Sequence, residues 1–107
     1  MLVYTTPEDL AQLSPDFPYI VLLEDQRSNL CAEFKQKVTS GFWKISNYFD
    51  YIYVLNVNSQ TVLDPLYSTV RVPQVRIIKD HSVVAKFTGL SEIDNMFSAL
   101  KEMGLDS

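Results

Sequence analysis

Cysteine and histidine are nearly absent from this chain. Its 107 residues include one cysteine, Cys31, and one histidine, His81. A single cysteine cannot form a disulfide within the chain, and one cysteine with one histidine cannot supply the four ligands of a structural zinc site. We therefore expect no metal site and no cofactor, and the lack of disulfides favours a reducing, cytoplasmic location.

Positive charge is also scarce. Nine Lys and Arg residues stand against 13 Asp and Glu residues, which gives a net charge of −4. Because nucleic-acid binding depends on clustered Lys and Arg, we expect no nucleic-acid partner. No apolar run approaches the length of a membrane span, and the N-terminus lacks the basic and apolar regions of a secretory signal. We therefore expect no membrane association.

What the chain does contain is the apolar content of a globular domain. The apolar fraction is 47%, and 107 residues suffice for one core, so we expect residues 1–107 to form a single domain. Two apolar runs without polar alternation predict strands buried on both faces, at Tyr19–Leu23 and Tyr51–Val57. A helix between them would complete a right-handed βαβ unit, in which the two strands are parallel.

The helix between these strands is predicted to begin at Ser28, because serine commonly caps helix N-termini. Leu30, Phe34 and Val38 recur at helical spacing and predict its buried face. The phase of the pattern slips at Gly41, which predicts a kink or a short break in the helix.

The segment before the first buried strand predicts two short elements. Leu2–Thr5 is rich in strand-forming residues and is expected to be an edge strand. Thr6 is expected to cap a helix that starts with proline and acidic residues and runs through about Leu13. Both elements therefore precede the βαβ unit.

The second half of the chain predicts a helix, a hairpin and a final helix. A short helix opens at Asn58, and the strands Gln74–Lys79 and Val83–Thr88 are joined by a tight turn that makes them antiparallel. Ser91 is expected to cap the last helix, which Gly104 ends. This order of elements predicts an α/β fold with a mixed central sheet and helices on both faces.

Three features resemble the thioredoxin family over nearly the whole chain. The strand Tyr19–Leu23 leads to an S-N-L-C box, Ser28–Cys31, at the start of a long helix. Val72-Pro73-Gln74 stands in the place of the family's cis-proline, and Gly89 in the place of its glycine after the last strand. The resemblance implies a thioredoxin-like fold with a groove for an extended peptide. The groove residues would be Arg27, Ser28, Asn29, Val72, Pro73 and Gly89.

The box departs from the W-C-G-P-C pattern of the family. Arg27 replaces the aromatic residue, Ser28 replaces the attacking cysteine, and Cys31 stands at the position of the resolving cysteine. The family's buried acid, which moves protons for the resolving thiol, falls on Leu22. Gln74 replaces the threonine after the proline. The resemblance therefore implies a groove beside an incomplete reaction centre.

These departures predict a redox-impaired module that binds another protein or an extended peptide. Disulfide exchange needs a thiolate, and the Ser28 hydroxyl does not ionise without an adjacent base. His81 is predicted to lie in the hairpin turn, away from Ser28, which we interpret as a helix cap. The alternative is a monothiol thiol–disulfide oxidoreductase that acts through Cys31. A third interpretation is a structural subunit of a larger assembly.

The side chains nearest to the box also have simple structural interpretations. Cys31, one turn inside the helix, is interpreted as a small buried apolar residue. Arg27 is expected to point to solvent. Glu24 and Asp25 are adjacent at a strand end, so we expect their side chains to diverge and to be solvated.

Overall fold

The structure, a computed structural model, describes residues 2–13, 18–25, 27–45, 51–57, 71–80 and 82–102. The strands are β1 Leu2–Thr5, β2 Tyr19–Glu24, β3 Ile52–Asn56, β4 Gln74–Lys79 and β5 Ser82–Thr88. The helices are α1 Pro7–Ala11, α2 Asn29–Ile45 and α3 Ile93–Glu102. The predicted helix after Asn58, the turn residue His81 and the predicted helix end at Gly104 lie outside the described residues.

The five strands form one mixed sheet in the order β1-β3-β2-β4-β5. β3 is parallel to both β1 and β2, whereas β4 is antiparallel to β2 and β5 is antiparallel to β4. The predicted parallel βαβ unit and the predicted hairpin are therefore confirmed. The register pairs Leu23 with Gln74, so the loop before β4 lies beside the end of β2.

Each face of the sheet carries an apolar core. The core under α2 and α3 comprises Ile20, Leu22, Phe34, Val38, Ile52, Val54, Val75, Ile77, Ile93, Met96 and Leu100. The core under α1 comprises Leu10, Val21, Leu23, Leu55 and Ile78. Because successive side chains of a strand point to opposite faces, β2 contributes to both cores. This arrangement confirms the α/β class with helices on both faces of the sheet.

α1 begins as the sequence predicts but ends earlier. The Thr6 side chain accepts a hydrogen bond from the Asp9 backbone N–H at 3.2 Å, and Pro7 occupies the first turn. Such a bond satisfies one of the unpaired N–H groups at a helix start. Gln12 is the C-cap, so Leu13 lies beyond the helix.

α2 is continuous, and the predicted break at Gly41 is wrong. A Cβ atom on Gly41 would lie 2.5 Å from Cζ of Phe97, a residue of α3. Real Cβ contacts are not this short, so the absence of a side chain lets the Phe97 ring pack against α2. Gly41 therefore allows close packing between α2 and α3.

The buried face of α2 is shifted from the predicted one. Phe34 and Val38 are buried, as predicted, but Leu30 is 49% exposed. Cys31 is 1% exposed and takes the place expected of Leu30. The buried face therefore follows the spacing i, i+3, i+7, which is also compatible with a helix.

The start of the last helix also differs from the prediction. Ser91 lies within a 3-10 turn, Leu90–Glu92, that precedes α3, and no side chain caps this turn. Gly89 comes before the turn with φ 82°, a conformation that favours glycine. In the part of the chain that the structure describes, no helix has both the length and the apolar character needed to cross a membrane.

Candidate functional site

Ser28 caps α2. Its Oγ accepts a hydrogen bond from the Cys31 backbone N–H at 3.3 Å, and its carbonyl accepts from the Ala32 N–H at 3.2 Å. An N-cap side chain typically accepts from the N–H of the second or third helical residue, and Cys31 is the third. Ser28 thus has the structural role that the sequence predicts, and its hydroxyl oxygen is engaged within the helix start.

The Cys31 thiol lies beneath this cap. Cys31 is 1% exposed, and its Sγ accepts a hydrogen bond from the Asp25 backbone N–H at 3.5 Å. Cys31 is a free cysteine. Thiol–disulfide exchange depends on access of the attacking sulfur to the disulfide, so burial at this depth opposes direct exchange. The position agrees with the interpretation of Cys31 as a small buried apolar residue.

Asp25 and Arg27 shape the turn that leads into α2. The Ser28 N–H donates to the Asp25 carbonyl at 3.0 Å. The Arg27 guanidinium donates to both Asp25 carboxylate oxygens at 3.2 Å, and its backbone N–H donates at 2.9 Å. The side-chain bond from Arg27, followed by the backbone bond, lowers the pKa of Asp25. Arg27 is 88% exposed and points to solvent, as predicted.

Glu24 corrects the prediction that it is solvated. Its side chain is 2% exposed, and Lys35 Nζ lies 3.2 Å from Oε2 and 3.3 Å from Oε1. β2 continues through Glu24, which pairs with Asn56 of β3, so the strand places this carboxylate under α2. Leu22 points to the same face, two residues earlier. A buried acid is therefore present beside the box.

Tyr4 completes the cluster around this ion pair. Lys35 Nζ donates to the Tyr4 hydroxyl at 3.0 Å and lies 5.3 Å from the ring centroid, a geometry in which the hydroxyl is the direct contact. Burial lowers the pKa of Lys35, but the hydrogen bonds to Tyr4 and Glu24 outweigh burial and raise it overall. Lys35 is therefore a cation at neutral pH, held by two acceptors.

A cavity of about 200 Å³ opens beside the cluster, at the carboxyl ends of β1 and β2. Its lining residues are Tyr4, Glu24, Asp25, Ser28, Ala32 and Lys35. The helix residues among them lie four and three apart, which places them on one side of α2. In the sequence, this spacing is the signal that Ser28, Ala32 and Lys35 share one side of the helix. It does not predict the ion pair, because a single charged residue such as Lys35 is ordinarily exposed to solvent. Among the described residues, no three His, Cys, Asp or Glu side chains are grouped to hold a metal ion.

The antiparallel register of β2 and β4 places the Val72–Pro73 loop beside Asp25. The peptide bond between Val72 and Pro73 is cis. The Gly89 N–H donates to the Pro73 carbonyl at 3.1 Å, which joins this loop to the end of β5. Val72 is half-buried against the core under α1. Within the described residues, neither its N–H nor its carbonyl has a hydrogen-bond partner.

Gln74, the first residue of β4, follows the Val72–Pro73 loop and supports it through side-chain hydrogen bonds. Its side chain is almost fully buried; the amide nitrogen donates to Thr88 Oγ1 at 2.8 Å, and the amide oxygen accepts from Arg76 Nε at 2.6 Å. The bond to Thr88 links β4 to β5 beside Pro73, and the bond from Arg76 lies within β4. The sequence marks Gln74 only as a departure from the family, because hydrogen bonds between strands have no local signature.

The predicted groove residues fall into two groups at adjacent strand ends. Arg27, Ser28 and the exposed Asn29 follow β2, while Pro73 and Gly89 are joined by a hydrogen bond beside β4. The antiparallel register of β2 and β4 makes these ends neighbours. The sheet therefore brings the two groups of predicted groove residues to neighbouring strand ends.

Comparison with known proteins rests on structure. No protein-family model and no curated protein sequence matches the chain. Thioredoxin f2 of Chlamydomonas reinhardtii has a TM-score of 0.77 at 13% identity, with all of both chains covered. Thioredoxin f of spinach chloroplast, short form, has a TM-score of 0.72 at 21% identity over 94% of this chain and 91% of that one. Fasciola hepatica thioredoxin has a TM-score of 0.69 at 23% identity over 92% and 98%. At these identities the likeness concerns the fold, and the fold of this chain is that of the thioredoxins.

Proposed function

We propose that this chain is a redox-impaired thioredoxin-like protein that binds an extended segment of another protein at the Val72–Pro73 loop. The observation that carries the proposal is the backbone of Val72, whose N–H and carbonyl have no partner among the described residues. An extended peptide can pair with such groups and extend the sheet locally. The half-buried side chain of Val72 and the bond from Gly89 to Pro73 hold this backbone in place.

The chemistry of the box supports binding without turnover. Ser28 provides no thiol, and its oxygen already accepts the Cys31 N–H. Cys31 is 1% exposed, so its sulfur is poorly placed to meet a disulfide. A groove that retains its backbone contacts but lacks the attacking thiol can hold a partner without forming a covalent intermediate.

The second candidate function is a monothiol thiol–disulfide oxidoreductase, because Cys31 stands at the second position of the box. In that reaction the Cys31 thiolate attacks one sulfur of a partner disulfide, forms a mixed disulfide and releases the other sulfur as a thiolate. An external thiol must then attack the mixed disulfide, since the chain has no other cysteine. The cytoplasmic location predicted from the sequence is compatible with both candidate functions. For the oxidoreductase, a reducing compartment would supply the external thiol.

Capture of partners tests the binding function. Immobilised wild-type protein, Val72→Asp and Gln36→Asp would be exposed to the same lysate, and bound proteins identified by mass spectrometry. Gln36 is exposed on α2, so the two variants change the charge equally. We expect Val72→Asp to lose partners that Gln36→Asp retains, with folding verified by circular dichroism. Equal retention by both variants would contradict the groove.

Insulin reduction with a thiol donor separates the two candidates. The binding function predicts no turnover and slow labelling of Cys31 by a thiol reagent in the native state. Turnover that Cys31→Ser abolishes would instead establish the oxidoreductase. Labelling in denaturant provides the reference rate, because unfolding exposes the same thiol.

A further inference from the structure

β5 forms an open edge of the sheet. Within the described ranges it pairs with β4 alone. Residues of a strand direct their N–H and carbonyl groups to alternate sides, so part of the β5 backbone faces away from β4. Such an edge can accept a further strand.

The first half of β5 presents exposed apolar side chains. Val83 is 43% exposed and Val84 is 50% exposed; Val83 pairs with Ile78 and Ala85 pairs with Ile77, so a register shift leaves Val84 as an extra residue between them. Ala85 and Phe87, in contrast, pack against the core under α2 and α3. β5 is therefore anchored by its second half, while two β-branched side chains remain available near its start.

The hairpin is basic although the chain is acidic. The hairpin, residues 74–88, contains three basic side chains and one acidic side chain, a net charge of +2, which leaves −6 for the rest of a chain of net charge −4. Lys86 stands directly opposite Arg76 in the register of β4 and β5. Lys86 is exposed and has no ion-pair partner among the described residues. Charge complementarity at this edge therefore requires an anionic group beside Lys86.

A second copy of the chain does not meet this requirement. Pairing of two β5 edges would bring together two hairpins of net charge +2, and β5 carries no acidic side chain. A lysine on an edge strand commonly prevents pairing between identical edges. The edge is therefore suited to a different chain whose strand carries acidic side chains.

We propose that β5 adds an extended acidic segment of another protein as a sixth strand. Val84 and Lys86 lie two residues apart and so point to one face, where they would contact an apolar and an acidic side chain of the added strand. Main-chain hydrogen bonds provide the pairing, and the acidic side chain selects the partner. This surface is separate from the Val72–Pro73 loop and does not depend on the function proposed for it.

A pair of synthetic peptides tests this surface. The probe is a blocked peptide of alternating valine and glutamate, and its counterpart carries lysine in place of glutamate. Isotope-labelled protein is titrated with each while amide exchange and chemical shifts are followed by NMR. We expect the acidic peptide to slow amide exchange in β5 and to bind about ten-fold more tightly than the basic peptide.

Charge reversal completes the test. Lys86→Glu should reverse the preference between the two peptides, whereas Lys37→Glu, an equal charge change on the exposed side of α2, should preserve it. Unchanged exchange in β5, or a preference that Lys86→Glu does not alter, would overturn the proposal. Shifts confined to residues 72 and 73 would also overturn it, while they would support the groove function.

Discussion

Lys35 Nζ lies 3.2 Å from Oε2 of Glu24, and this ion pair joins α2 to the end of β2 beneath the box. The Glu24 side chain is 2% exposed and that of Lys35 is 24% exposed, so the carboxylate depends on the ammonium group more than the reverse. The resemblance to thioredoxins places the family's buried acid at Leu22, which here belongs to the apolar core. This chain instead buries a carboxylate two residues later on the same face.

Loss of the ammonium group should therefore destabilise the protein. Lys35→Met would leave the Glu24 carboxylate buried without its partner, a change that costs about 3–5 kcal/mol in a fully buried pair. Because the Lys35 side chain is 24% exposed, we expect the free energy of unfolding to fall by about 2–3 kcal/mol. Urea unfolding measures this change. Lys37→Met removes an exposed lysine from the same helix and should alter stability by less than about 0.5 kcal/mol. Equal losses in both variants would show that the ion pair has no special role.

Alkaline pH should weaken the same interaction. The pKa of Lys35 is raised in the folded state, so its contribution to stability is complete below the unfolded-state pKa, about 10.4, and is lost as pH rises through the higher folded-state pKa. We expect wild-type stability to fall more steeply above about pH 10 than that of Lys35→Met. Urea midpoints across this range provide the comparison, because other lysines and tyrosines titrate in both proteins. Parallel curves would contradict the assignment.

The strand and helix pattern was predictable because it depends on local composition. Thr6 and Ser28 both cap helices as their positions predict, and the apolar runs locate β2 and β3 to within about one residue. The local sequence does not indicate whether a charged residue is buried by other parts of the fold. Glu24 follows an apolar run and precedes Asp25, so its burial becomes visible only when Lys35 approaches from the next element.

The phase of α2 was mispredicted for a related reason. Leu30, Phe34 and Val38 fit a helical spacing, but Cys31, Phe34 and Val38 fit one equally well. The contact with the sheet end decides between them, because Cys31 Sγ accepts a hydrogen bond from the Asp25 N–H directly after β2 and Cys31 is 1% exposed. The sequence predicts burial of both Leu30 and Cys31, and in the structure only Cys31 is buried.

Restoring a cysteine at Ser28 should restore a disulfide. Ser28 Oγ lies 3.3 Å from the Cys31 nitrogen, so Ser28→Cys places two sulfur atoms on one turn at the helix start. We expect this variant to lose both free thiols under mild oxidation, as measured by thiol titration and by mass. Ser40→Cys, an exposed position in the third turn after Cys31, should keep its thiol free. Persistent free thiols in Ser28→Cys would show that the resemblance of the box to the dithiol motif is wrong.

Gly41 should resist a substitution that helix propensity favours. Alanine is about 1 kcal/mol better than glycine inside a helix, yet its Cβ would lie 2.5 Å from the ring of Phe97. We expect Gly41→Ala to destabilise the protein by about 1–2 kcal/mol, because the ring must move from a packed site. In a Phe97→Leu background the same change should cost less or become favourable. A stabilising effect of Gly41→Ala in the wild-type background would contradict the close contact between α2 and α3.

The orientation of α2 predicts opposite consequences for two apolar residues of its first turns. Leu30 is 49% exposed, so Leu30→Ser should lower the free energy of unfolding by less than about 1 kcal/mol. Phe34 is 1% exposed within the core under α2 and α3, and Phe34→Ala should cost about 3–5 kcal/mol. Both values come from urea unfolding with a common slope. A large loss for Leu30→Ser with a small loss for Phe34→Ala would mean that the helix is rotated, with Leu30 inward. The hydrogen bond from the Asp25 N–H to Cys31 Sγ opposes that rotation, because it ties the Cys31 side chain to the residue that follows β2.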